Sequence, residues 1–174
     1  MTRVFDFAGN QAAWWWCILC VGAGHAWLAL VGPAAYVLAH LALRAPARSS
    51  IATLAVAAAA VGFVADSALV RSGYLRFPGA STSWTAPFMI ALWAAFGVSL
   101  TASMKFLRAR PVAVAAAIGA VAGPIAYAGG ERLGVLGLAP RAWLAVGVAW
   151  AAALAALALV ARKTEARETE GGAA

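Results

Sequence analysis

Gly119-Ala-Val-Ala-Gly-Pro-Ile-Ala-Tyr-Ala-Gly-Gly-Glu-Arg-Leu-Gly134 joins an apolar, small-residue stretch to a charged end. Gly119 and Gly123 stand four apart, and Ala115 extends their face. In lipid, small residues at this spacing let helix backbones approach closely. Pro124 removes one backbone donor and predicts a bend. Tyr127, Glu131 and Arg132 then carry polar groups toward the membrane edge. The stretch therefore reads as the second half of a membrane-crossing helix, with close packing, a bend and paired ionisable groups in one place.

The rest of the chain has the same character. Of its 174 residues 64% are hydrophobic and only 11% charged, where a soluble domain carries about 25% charged residues. Apolar runs near the length of a bilayer crossing recur. They predict an all-α, polytopic transmembrane helical bundle of about six spans. The spans are Phe7 to Val21, Ala26 to Leu43, Ile51 to Val70, Trp84 to Leu107, one opened by Pro111, and Ala142 to Val160. The first two are barely long enough for two crossings, so one kinked helix and a five-span chain stay open. Residues 1–162 form one bundle in this reading, and 163–174 a flexible charged C-terminal tail.

The net charge of +7 does not point to nucleic acid, because the basic residues lie at the ends of apolar runs without exposed aromatics among them. They act instead as topology signals. With six spans, one side holds Arg3, Arg44, Arg48, Lys105, Arg108, Arg110, Arg162, Lys163 and Arg167, and the other Arg71, Arg76, Arg132 and Arg141. This predicts both termini in the cytoplasm. Asp66, Glu131 and His25 then gather near the opposite face.

A faint repeat is present. A shift of about 57 residues lays Gly62 on Gly119, Val64 on Val121, Gly73 on Gly130 and Trp93 on Trp150. Either helix-hairpin repeats or an alanine-rich composition accounts for it.

Few motifs carry chemistry. Cys17-Ile-Leu-Cys20 puts both sulfurs on one helix face, but no cation is near to activate a thiol. The pair reads as buried small hydrophobes. His25 follows a Gly-Ala-Gly turn and His40 precedes Arg44, both ordinary interfacial positions. No metal or cofactor is expected. Asp66 is the one acid inside a span, where charge is costly. Pairing with Arg71 and a functional role are equally open. The candidate site is Asp66, Glu131, Arg132 and Tyr127, expected to meet at the outer face.

Asn10, Trp16, Cys20, Asp66-Ser67, Arg76-Phe-Pro-Gly79, Leu92-Trp, Phe96 and Gly123-Pro-Ile-Ala-Tyr-Ala-Gly-Gly-Glu-Arg-Leu-Gly134 form a pattern. It resembles a family of small six-span bacterial inner-membrane proteins known only as a domain of unknown function. The resemblance covers about residues 7 to 160 and is most specific in its last motif. The chain departs at Ser99-Leu-Thr-Ala-Ser103, where an amide or histidine is expected before the serine. The resemblance implies a polytopic inner-membrane protein without an established activity. Relatives encoded beside enzymes that modify membrane fatty acids associate it with lipid chemistry. The leading expectation is a lipid-handling enzyme or accessory with membrane lipids as its partners. A small solute or proton-coupled transporter and a scaffold for a partner membrane protein or for a homo-oligomer are the alternatives.

Overall fold

Glycines punctuate the helices. In the computed structural model, which describes residues 3–171, six α-helices follow one another: α1 (Arg3–Gly22), α2 (Val31–Leu43), α3 (Arg48–Arg71), α4 (Pro87–Ser99), α5 (Val112–Arg132) and α6 (Ala142–Gly171). Helices α1, α3 and α5 end alike. Gly24, Gly73 and Gly134 take left-handed φ values of 82°, 74° and 71°. Their N–H groups reach back to Val21, Val70 and Glu131, and the next N–H groups, of His25, Tyr74 and Val135, reach Cys20, Leu69 and Gly130. This arrangement satisfies the carbonyls a helix end leaves unpaired, and only glycine adopts it without a Cβ penalty. The likeness joins Gly73 to Gly134, an offset of 134 − 73 = 61, rather than the 57 suggested by the sequence.

Each of these helices turns back into its successor, giving three hairpins. Helix α3 sits centrally, against α4, α6 and α2, while α5 packs on α6 and α1 lies against α2 and α4. Beyond α3 and α5 the chain forms two short strands, β1 (Leu75–Arg76) and β2 (Gly137–Leu138), paired antiparallel with Leu75 opposite Leu138. They tie the loops of the second and third hairpins together.

Three helical stretches are long and apolar enough to cross a membrane: Ala45–Arg71, Val112–Arg132 and Ala142–Arg167. Leu28–Leu43 and Pro87–Ser99 are apolar but shorter. A turn separates α1 from α2, so one continuous kinked helix over residues 7–43 is not what forms. The fourth helix stops at Ser99 instead of running to Leu107. There the hydroxyls of Ser99 and Thr101 bond back to the carbonyls of Phe96 and Val98, competing with the helical ladder. Pro124 lies within the continuous α5. Helix α6 continues past Val160, where Glu165 pairs with Lys105 at 3.2 Å and approaches Arg108 at 3.9 Å.

Small residues let bulky ones in. A Cβ at Gly62 would overlap the Trp93 indole, and one at Gly123 would overlap that of Trp150. Gly119 lies under the Trp150 carbonyl. The close approach that the spacing of Gly119 and Gly123 predicts is thus made, by α6. Trp93 and Trp150 then meet at a centroid distance of 4.4 Å, between α4 and α6 and beside α3 and α5.

Candidate functional site

Asp66 lies in the sixth turn of α3, facing Trp93 of α4 and Tyr127 of α5, and is fully buried. A bare carboxylate there would be very costly. Trp93 Nε1 donates to one oxygen at 2.9 Å, and the Tyr127 hydroxyl donates to the other in a short hydrogen bond. Trp150 closes the surround, edge-on to Tyr127 at 6.0 Å. The Ser67 hydroxyl accepts the Thr85 backbone N–H at 3.1 Å and fixes the start of α4 above the acid. Thr85 Oγ1 and Trp150 Nε1 are also buried here, beside the Asp66 carboxylate and the Tyr127 hydroxyl.

Two of the four sequence candidates meet here, Asp66 and Tyr127. Glu131 and Arg132 do not join them. Both are exposed, and Glu131 accepts the Leu138 backbone N–H at 2.8 Å, holding β2 to the end of α5. The expected convergence fails because Glu131 lies one turn beyond Tyr127, level with the loop, where an unpaired N–H claims it. Asp66 also does not pair with Arg71, whose guanidinium stacks on Trp84, 5.5 Å from the ring centroid. Among the described residues no cation bonds Asp66.

A groove runs down the outside of the same helices. It has a volume of about 990 Å³ and lies between α3 and α6. Eight of its sixteen lining residues are alanine, including Ala60, Ala65, Ala149 and Ala156, so small side chains open it. Ser72, Tyr74 and Arg141 are its polar lining residues, placed at the loop ends of the two helices. From Ala60 to Ser72 the floor follows α3 for roughly 18 Å at 1.5 Å per residue. Leu69 lines the groove and also packs in the apolar cluster that contains Tyr127.

The family model for a protein of unknown function, DUF2878, matches residues 3–156. The chain belongs to the DUF2878 family. No curated protein and no solved structure matches it. Family membership therefore brings no activity to this DUF2878 chain, and its chemistry has to be read from its own residues.

Sequence reading missed a second buried cluster, at the other end of the bundle. Asp6, in the first turn of α1, is fully buried. Its Oδ1 accepts the Tyr36 hydroxyl at 2.9 Å and lies 2.7 Å from His40 Nε2, while Oδ2 accepts the Ser103 backbone N–H at 2.9 Å. Arg44 donates to Thr101 Oγ1 at 2.7 Å just beyond. A signal was present, because Tyr36, His40 and Arg44 are spaced by four and share one helix face. Cys17 and Cys20 lie in apolar surroundings, Cys17 fully buried. Among the described residues no three His, Cys, Asp or Glu side chains gather as metal ligands would.

Proposed function

We propose that this chain is a multi-pass membrane protein of the bacterial inner membrane that holds an anionic lipid, its acyl chain in the α3–α6 groove and its headgroup on Arg141. Six crossings place both termini on the cytoplasmic side and Arg141 at the outer face. The buried Asp66–Tyr127–Trp93 cluster, one layer beneath the groove, is the centre that acts on or senses the bound lipid.

The observation that carries this reading is Arg141. It occupies a left-handed backbone conformation, φ 68°, the one non-glycine among the described residues to do so. That costs an L-residue roughly 1–2 kcal/mol. It also puts a cation at the N-terminal end of α6, the positive end of the helix dipole, where an acidic or neutral residue fits better. Two local preferences are overridden to set one guanidinium at the mouth of an apolar groove. Such violations are expected where function requires the residue, and a guanidinium matches phosphate geometry.

Native mass spectrometry of the detergent-purified protein, offered phosphatidylglycerol and phosphatidylcholine, tests this. Wild type should retain phosphatidylglycerol in preference. Arg141→Gln should lose the preference, and Ala149→Phe, which fills the groove, should reduce both adducts. Equal retention of the two lipids by wild type and Arg141→Gln would reject the headgroup assignment, and retention undiminished in Ala149→Phe would reject the groove.

A further inference from the structure

The Asp6–His40 cluster can be counted proton by proton. His40 Nδ1 lies 3.0 Å from the Tyr36 carbonyl oxygen, and Nε2 lies 2.7 Å from Asp6 Oδ1. A carbonyl oxygen only accepts, and so does an ionised carboxylate. A neutral imidazole carries a single N–H, so one of these contacts would then set a lone pair against a lone pair. Both contacts are satisfied together only when the pair holds one proton more than a neutral ring and a carboxylate. Asp6 accepts from Tyr36 and Ser103 as well, and three donors around one carboxylate favour the ionised acid and an imidazolium ring. Burial alone would raise the Asp6 carboxyl, yet the hydrogen bonds from Ser103, Tyr36 and His40 hold it below the ordinary carboxylate range.

From this geometry we infer that Asp6 and His40 form a proton-binding site that clasps the start of α1 and the chain just after α4 to the end of α2. The Asp6 carboxylate joins three segments, and the bound proton completes its bond to His40. Asp6 comes from α1, His40 and Tyr36 from α2, and the Ser103 N–H from the loop after α4. The charge of Arg44 acts on Tyr36 in the cluster, and its guanidinium is occupied with Thr101 Oγ1 and the Thr101 carbonyl. Among the described residues no second carboxylate contacts His40. When the proton leaves Nε2, the 2.7 Å contact that joins α1 to α2 sets lone pair against lone pair while Nδ1–H keeps its bond to the Tyr36 carbonyl within α2, and the clasp loosens. The site lies at the end of the bundle opposite Asp66, so it reports pH on the face that the Asp66 cluster does not meet.

Two measurements on the full chain in lipid nanodiscs test the inference. The sequence has two histidines, so His25→Ala leaves His40 as the sole ring for ¹⁵N NMR. Spin labels at Val4→Cys and Phe106→Cys, with Cys17→Ala and Cys20→Ala, report the distance between α1 and the α4–α5 connection. In the closed state both ring nitrogens should carry a proton and the distance distribution should be narrow. As pH rises, loss of one ring proton and broadening of the distribution should occur over the same interval. Asp6→Asn keeps the clasp without the proton, because its amide donates to Nε2. That variant should show one ring N–H and a narrow distribution at every pH. A singly protonated wild-type ring in the closed state would overturn the inference. So would an Asp6→Asn protein that broadens with pH as wild type does. If Asp6→Asn does not fold, the wild-type ring spectrum decides alone.

Discussion

Asp66 shows what a buried acid needs when no cation reaches it. Its two oxygens rest on Trp93 and Tyr127, so removing either donor leaves an unsatisfied acceptor. Tyr127→Phe should destabilise the protein by about 1–3 kcal/mol, read as a lower thermal midpoint in detergent. Asp66→Asn keeps shape and one acceptor, and should leave expression near wild type while abolishing function in cells. The double change Cys17→Ala with Cys20→Ala should leave insertion and function intact, because both sulfurs lie in apolar surroundings. Lost function at normal protein level would revive a redox role. Asp66 was legible because it is the one acid inside an apolar run, and Tyr127 because it lies in the glycine-rich motif. Trp93 was visible only as a repeat match and within the Leu92-Trp element of the resemblance. Asp6 was not legible, since its partners His40, Tyr36 and Ser103 are distant in sequence and only the fold brings them together.

At the scale of elements, the helices are set by where glycine permits contact and where hydroxyls forbid continuation. The spacing of Gly119 and Gly123 foretold a close helix neighbour, and α6 supplies it through Trp150. The length of α4 was not legible, because apolar character runs on past Ser99 while the backbone bonds do not. Substituting Gly62 by valine should push Trp93 off α3 and lower stability by at least the 1–3 kcal/mol typical of overpacking, measured as a loss of thermal midpoint. Arg141 offers the opposite test. Arg141→Gly should raise the midpoint, because it removes a backbone penalty of roughly 1–2 kcal/mol, yet it should weaken retention of phosphatidylglycerol. A variant that gains stability and keeps lipid would show that Arg141 is not held there for binding.

For the whole molecule, composition alone made the helical membrane class legible, and three of the helices have the length and polarity to cross. The number of crossings was harder to read, since α2 and α4 are short for the span of a bilayer. The proposed orientation rests on the basic residues, and single cysteines in a Cys17→Ala, Cys20→Ala background test it. Cysteines at the exposed positions Arg48 and Arg110 should resist impermeant thiol reagents in intact cells, while one at Ser81 should label. The reverse pattern would invert the bundle and carry Asp66 and Arg141 to the cytoplasmic face. The central claim is that the α3–α6 groove and the Asp66 cluster serve lipid. It is tested most directly by the membrane lipid composition of cells lacking the chain, complemented with wild type or with Asp66→Asn. The account predicts an altered composition that wild type restores and Asp66→Asn does not. A composition unchanged by the deletion would contradict it and move the reading to transport or to a scaffold.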